Sequence, residues 1–306
     1  MMDTKLEEHI LKIAEEKSIT RAAEKLYLTQ SALNQQLLKL EHELGVPLFK
    51  RSRNSCTPTA AGELYLEGAK EVVRSRQQTY NRISDLTDSY KGTIVVGMTP
   101  VRGPDMFIHV YPVFHKDYPN MLVVPHEVNV YKMQQMISAR DLDIGFMTLF
   151  DYQKTEAEYE NLYKEEILLA VPSSLPVDKF IRKNKEGKQS LPLSVLQNES
   201  FILLKKTTTM REVLDKVFRH AHFVPHLLFD TANTTTILEL VRAGICCGIV
   251  SQSTARNYQK GIQYFSFETP LHWNVAVSYP KGTTLSKAAR LFVEYAQKYW
   301  LAQIHS

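Results

Sequence analysis

Residues 20–51, TRAAEKLYLTQSALNQQLLKLEHELGVPLFKR, decide how the rest of the chain is read. Ser18 or Thr20 is suited to cap a first helix over residues 21–26, because a hydroxyl there accepts an N–H that the opening turn leaves without a partner. The small pair Ala22-Ala23 lets a second helix come close, and Leu26 and Leu28 supply the apolar contact that sets the angle between the two. Thr29 offers a second cap. Residues 30–44 then carry Leu33, Leu37, Leu40 and Leu44 as one apolar stripe. The face left outside at the start of this helix is Gln30, Ser31, Asn34 and Gln35. Gly45 ends the helix, Pro47 prevents it from resuming, and Leu48-Phe49 dock a hairpin on the core.

Two short helices, a tight turn and a basic hairpin predict a grip on duplex DNA. The first residues of the second helix would meet base edges in the major groove, where Gln and Asn hydrogen-bond well. That role is expected of Gln30, Ser31, Asn34 and Gln35, with Thr29, Lys50, Arg51 and Arg53 meeting phosphate and Ser18, Thr20 and Arg21 in the same interface. The run AAEKLYLTQSALNQQLLKLEHELGVPLFKR, followed by Thr59-Ala60-Ala61-Gly62, resembles the winged helix-turn-helix of LysR-type transcriptional regulators. The chain departs from that pattern at Asn34-Gln35, where the family commonly has Ser-Arg before Gln, and at Pro58, which replaces a common Leu.

With 306 residues the chain is long enough for two or three cores. The overall charge is only +4, and residues 1–90 hold 13 Lys plus Arg against 13 Asp plus Glu. DNA binding must therefore come from a local basic cluster, Lys50, Arg51 and Arg53, with Glu7, Glu8, Glu15 and Glu16 on an earlier helix that faces away. No N-terminal apolar stretch follows a basic region, and no run approaches the length of a membrane span, so a cytoplasmic protein with no membrane association is expected.

Residues 59–90 contain no proline and read as one long helix with a narrow stripe of Leu66, Ala69, Val73, Tyr80 and Ile83, interrupted by Arg76. Such a stripe pairs with a second copy or packs on its own chain. The resemblance implies the first, a linker that makes a homodimer or homotetramer reading a dyad-symmetric promoter site, with RNA polymerase as a further partner.

From Lys91 the pattern changes. Strands are expected at 93–98, 122–128, 143–147, 167–171, 201–204, 226–229, 246–250 and 273–279, alternating with helices at 106–118, 131–140, 210–221, 233–243 and 286–302. That alternation predicts α/β domains with mainly parallel sheets. A break is expected near Ala170-Val171-Pro172. The resemblance implies a two-lobe, periplasmic-binding-protein-like (type 2) effector domain. The expected organisation is a winged helix-turn-helix over 1–58, a linker helix over 59–90 and an effector domain over 91–306, with lobe I at 91–169 and 270–306 and lobe II at 170–269. The basic segment 176–191 has no role in this reading.

Ligands in open α/β sheets sit at the carboxyl ends of strands, beside helix N-termini. That rule selects Thr99, Pro100, Val101 and Arg102, then Phe146, Met147 and Thr148, in one lobe. In the other it selects Lys205, Thr207, Thr208, Thr209, Thr231 and Asn233. Hydroxyls in that number beside Arg102 and Lys205 suit a small anionic effector.

Three other readings compete. Cys246-Cys247 could form a redox sensor, although GICCGIV reads as a buried strand. His220, His222 and His226 lie within seven residues, yet do not share one helical face, and no metal site or cofactor is expected. His222 also stands where the family usually has a helix-terminating glycine. Finally, a small-molecule-binding module or an enzyme on the same two lobes is conceivable, but GxGxxG, Walker, HExxH and GxSxG signatures are absent.

Overall fold

The computed structural model describes residues 3–52, 55–86 and 91–305, and the chain divides into two compact units that meet at Gly92 and Thr93. The first unit opens with α1 (Lys5–Glu16), α2 (Ile19–Lys25) and α3 (Gln30–Leu44). The Ser18 hydroxyl accepts the N–H of Arg21 at 3.3 Å, and Thr29 accepts that of Ala32 at 3.2 Å, so both helices start where a side chain satisfies an orphan donor. Ile10 and Ile13 of α1, Ala22 and Ala23 of α2, and Leu33, Leu37 and Leu40 of α3 are buried together. Leu44, expected to continue that stripe, is exposed. It lies on the last turn, beyond the reach of α1, where Gly45 adopts φ +70 and ends the helix.

The wing is the antiparallel pair β1 (Phe49–Arg51) and β2 (Cys56–Pro58), anchored by buried Leu48 and Phe49. Helix α4 (Ala60–Leu86) follows, capped by Thr59, whose hydroxyl accepts from Gly62 N at 3.0 Å and donates to the Pro47 carbonyl at 2.8 Å. The apolar stripe of α4 is divided. Ala69 is buried, and Tyr65 and Leu66 pack on the core of the first unit. Tyr80 and Ile83 are exposed, as are Leu64, Val72 and Leu86. Arg76 does not simply interrupt the stripe: it pairs with Glu8 at 2.6 Å and donates to Thr4, tying α4 to α1.

The second unit runs β3 (Gly92–Met98), α5 (Gly103–Asp117), β4 (Met121–Glu127), α6 (Val130–Ser138), β5 (Ile144–Leu149), β6 (Glu158–Pro172), β7 (Arg182–Lys183), β8 (Gln189–Ser190), β9 (Ser200–Leu204), α7 (Thr209–His220), β10 (His226–Thr231), α8 (Thr234–Arg242), β11 (Cys247–Ser251), α9 (Gln252–Arg256), β12 (Ile262–Phe265), β13 (Leu271–Tyr279) and α10 (Lys287–His305). Among the described residues the main sheet has the order β10-β9-β11-β6-β13-β5-β3-β4, with β12 also on β6. It is mixed rather than mainly parallel. β9 pairs parallel with β10 and β11, and β3 with β5, but β6 and β13 run antiparallel to their neighbours. The reason is that β6 belongs to both lobes: Ile167 is opposite Leu271 of β13 on one side and Ser251 of β11 on the other.

No break occurs at 170–172, where the strand continues through Pro172. Strand β6 also starts nine residues before the expected Ile167. Its first half, EYENLYKEE, is polar, and several of its charges are matched by distant groups. Glu160 is bonded to Tyr279 and Arg290, and Lys188 reaches Glu166 at 2.7 Å. Basic segment 176–191 contains the small hairpin of β7 and β8 that carries Lys188. β12 and α9 were not anticipated either, being too short for a periodic signal.

A Cβ built on Gly62 falls 1.9 Å from the Leu48 carbonyl oxygen, whereas Gly68 on the same helix has open space. Gly62→Ala is expected to destabilise the first unit by about 1–3 kcal/mol through overpacking. Gly68→Ala should stabilise it by about 0.5–1 kcal/mol through helix propensity, both read by urea denaturation followed by circular dichroism.

Candidate nucleic-acid interface and ligand cavity

On the first unit, Gln30, Ser31 and Gln35 are exposed along the start of α3, as are Thr20, Arg21, Thr29 and Lys50. Ser18 and Thr29 already use their hydroxyls as helix caps, and Arg21 donates to the Glu16 carbonyl at 2.6 Å. Arg53 lies outside the described residues. Arg51 is not a free cation awaiting phosphate. Its Nη2 donates to Glu41 Oε2 at 3.0 Å, and its Nη1 donates to Asn34 Oδ1 at 2.8 Å. Glu41 in turn accepts from the backbone N–H groups of Leu48 and Phe49 at 2.7 and 3.1 Å. Sequence reasoning missed Glu41 because it lies outside the expected interface and acts through the wing.

On the second unit, a cavity of about 1370 Å³ opens between the lobes. Its walls include Thr99, Pro100, Val101, Arg102 and Thr148 from one lobe and Lys205, Thr207, Thr208 and Thr209 from the other, as the strand-end rule predicts. Four expected residues fall elsewhere. Phe146 and Met147 are buried away from the main cavity, the Phe146 ring packing edge-on against Trp300, because they lie inside β5 and only Thr148 near its carboxyl end reaches the cavity. Thr231 and Asn233 shape the turn before α8: Asn233 caps Thr235, and Thr231 accepts the Asn233 N–H at 3.1 Å. Ala232, Thr234 and Thr235 line the cavity instead.

The cavity floor is polar and already neutralised. Arg102 is largely buried, with Nη2 2.5 Å from Glu165 Oε2, Nη1 2.7 Å from the Tyr163 hydroxyl, and the hydroxyls of Ser251 and Ser253 at 3.2 and 3.0 Å. Glu165 also accepts the Ser253 N–H at 2.7 Å and the Trp273 indole N–H at 3.0 Å. Burial opposes the charge on Glu165, but Arg102 and these donors outweigh it and hold the carboxyl below its ordinary value. Burial pushes the Tyr163 hydroxyl up to about 12. Arg102 was expected to receive the ligand's anion, yet an internal carboxylate satisfies it. Lys132, Lys205 and Arg256 bring the remaining positive charge to the walls, against Asp105 and Glu127. At the cavity wall, Thr209 donates to the Thr148 carbonyl at 2.9 Å, joining the lobes. Tyr163, Glu165, Ser253 and Trp273 gave no sequence signal, since it is the pairing of β6 with β13 and the approach of α9 that bring them together.

A helix-turn-helix whose second helix carries a polar leading face, together with two α/β lobes around a cavity, matches two family descriptions. Residues 7–63 match "Bacterial regulatory helix-turn-helix protein, lysR family", and residues 87–301 match "LysR substrate binding domain". The chain belongs to the LysR family. It is a LysR-type DNA-binding transcriptional regulator with an effector-binding domain. The HTH-type transcriptional regulator YcgK of Bacillus subtilis is 26% identical over 97% of this chain and 94% of its own length. The DNA-binding transcriptional dual regulator OxyR of Escherichia coli is 26% identical over 78% of this chain and 75% of its own. Among solved structures, a full-length OxyR variant from Pseudomonas aeruginosa covers 97% of each chain with a TM-score of 0.68 at 21% identity. Full-length CbnR complexed with target DNA covers 97% of this chain and 99% of its own, with a TM-score of 0.62 at 22% identity. These structural likenesses concern the fold.

In this LysR-type regulator Cys246 and Cys247 are buried, and burial pushes their thiols up to about 11 and about 12. They stay protonated at neutral pH, which removes the thiolate a redox sensor needs. Of the histidines, His220 bonds to the Lys216 carbonyl and His226 to Ser200, while His222 takes φ +49 in the turn after α7. Among the described residues, Glu166, Glu186 and His272 come within metal-binding reach of one another, but the Lys188 ammonium lies between the two carboxylates, at 2.7 and 2.9 Å.

Glu165→Gln leaves Arg102 charged, largely buried and without its carboxylate, and is expected to cost about 3 kcal/mol at pH 7 by chemical denaturation. The carboxyl is depressed in the fold, so its stabilisation is present above the unfolded-state value and is lost as pH falls through the folded one. The difference between the variant and the parent should therefore shrink on acidification. With a thiol-reactive dye at neutral pH, Cys246 and Cys247 should label only at the rate of unfolding, and fast labelling of either in the folded protein would contradict their burial.

Proposed function

We propose that the chain binds a dyad-symmetric promoter site as a homodimer or homotetramer, and that a small anionic effector in the interlobe cavity shifts it between two assembly states on DNA. The observation that carries the effector reading is convergence: the segments leading into α5, α6, α7 and α8 all contribute to one cavity wall. Helix starts favour anions through their unpaired N–H groups and dipoles. Lys132, Lys205 and Arg256 reinforce that preference, and the hydroxyls of Thr207, Thr208 and Ser253 suit the oxygens of a carboxylate or similar group. An effector moves such an equilibrium only through different affinities for the two states.

Gln30, Ser31, Asn34 and Gln35 are assigned to base edges, and Lys50 with Arg53 to phosphate. Pairing through α4 is supported by exposed Leu64, Val72, Ile83 and Leu86, apolar side chains that a second copy would cover. Two recognition helices related by a dyad then read half-sites about one helical turn apart. The assigned organisation is DNA-binding over 1–58, linker over 59–90 and effector domain over 91–306. Action as a regulator rather than an enzyme, a cytoplasmic location and contact with RNA polymerase accord with the family's role in transcription; no described helix is long and apolar enough to cross a membrane.

The test is a gel shift with duplex DNA from the promoter region beside the gene, titrated at several salt concentrations with and without a panel of small carboxylates and neutral analogues. Lys50→Ala should weaken binding to all sequences and reduce the salt exponent by about 0.9, the value for one phosphate contact. A carboxylate, and not its neutral amide, should raise the melting temperature and alter the shifted complex. If only neutral compounds do so, the anionic assignment fails.

A further inference from the structure

Asn34 and Glu41 are seven residues apart on α3, two helical turns, so both face the wing strand that carries Arg51. Arg51 lies across them. One arm of its guanidinium is fixed by Glu41, which is largely buried and also holds the backbone of Leu48 and Phe49. The other arm donates to Asn34 Oδ1 at 2.8 Å. This contact decides which way the Asn34 amide points, because its NH₂ group cannot face a guanidinium, which has only donors. The oxygen is turned to Arg51, and Nδ2 is left to meet another partner.

An asparagine reads adenine by accepting from N6 and donating to N7, which requires both ends of its amide. Here one of the oxygen's two lone pairs is held by a cation, and an amine approaching the other would meet the neighbouring N–H groups of Arg51 donor against donor, so the neutral amine of adenine competes poorly. The group best placed to meet a base is then the Nδ2 donor, flanked by the other N–H groups of Arg51. Guanine offers two adjacent acceptors in the major groove, N7 and O6, which can take Asn34 Nδ2 and an Arg51 N–H together; thymine offers one, O4, beside an apolar methyl, and adenine and cytosine each offer an amine that would meet donor against donor. We propose that Arg51, fixed by Glu41, is a positioning residue that sets base specificity by presenting Asn34 as a donor, so that the operator carries guanine where Asn34 meets it. This rests on the reading that the start of α3 enters the major groove.

The experiment is selection of binding sites from random duplex DNA by the full-length protein. Salt titrations on the selected operator and its single-base variants follow, for the parent, Asn34→Ala, Arg51→Met and Glu41→Gln. The parent should select guanine at one position per half-site, and Asn34→Ala should lose that preference. Arg51→Met should move the position towards adenine by about tenfold while leaving the other positions and the salt exponent unchanged. Glu41→Gln should move it in the same direction. Should Arg51→Met fail to fold by circular dichroism, Arg51→Lys takes its place, since a lysine reaching Glu41 cannot also span to Asn34, and the same shift is expected. The proposal is overturned if the parent selects adenine at the Asn34-dependent position. It is equally overturned if the Arg51 variant binds every sequence more weakly and loses about 0.9 from the salt exponent, as a phosphate contact would. If Asn34→Ala alters no base preference, the groove reading of α3 itself fails, an outcome distinct from the other two.

Discussion

Two adjacent carboxylates on the strand common to both lobes, Glu165 and Glu166, are buried, and a buried carboxylate without a partner would cost several kcal/mol. Successive residues of a strand point to opposite faces, so one cation cannot serve both. Arg102, at the entrance to α5, pairs with Glu165 on the cavity side, and Lys188, from the hairpin of the basic segment, pairs with Glu166 on the other. The second unit is organised around this requirement. It draws the start of a first-lobe helix onto the shared strand, adds Ser253 from α9 of the second lobe and Trp273 from β13, and gives the otherwise unexplained segment 176–191 a structural task. Because the Arg102 pair forms part of the cavity floor, the ligand's surroundings and the junction between the lobes share the same hydrogen bonds.

The first unit obeys a different constraint, close approach of backbone to backbone. Gly62 lies against the Leu48 carbonyl and Ala22-Ala23 are buried against neighbouring helices, so the wing and the helix pair are held by small residues at a few points. Within that frame, polar side chains carry the fine geometry. Thr59 ties α4 to the strand entry, and Glu41 ties the wing to α3. With no net charge across residues 1–90, orientation of individual donors and acceptors matters more than a broad electrostatic field.

Legibility in the sequence followed the range of each interaction. Caps at Ser18 and Thr29, the end of α3 at Gly45 and the hydroxyl-rich entrance to α7 are local, and each was readable from neighbouring residues. Helix α3 was expected over 30–44 and occupies Gln30–Leu44. Strand β6 was half missed because its charged first half finds partners more than twenty residues away, as Glu166 does in Lys188 and Glu160 in Arg290. The cavity followed the same division. Thr99 to Arg102 and Thr207 to Thr209 were named from strand ends, whereas Tyr163, Glu165, Ser253 and Trp273 were not, and Phe146 and Met147 fall outside the cavity because they lie inside β5, ahead of its end.

The family and the two lobes were implied by the resemblance to LysR-type regulators, whereas the sequence by itself determined the helix-turn-helix, its wing and the strand-end segments that line the cavity. Those depend on turn residues, helix caps and periodicity within a few residues of one another, which a linear reading can see. Only the tertiary structure decided what the charged side chains do. Arg102 is matched to an internal carboxylate, and Arg51 is shared between Glu41 and Asn34. The reason is physical: an ion's role depends on which opposite charge folding brings within about 3 Å of it, and that partner can lie anywhere along the chain.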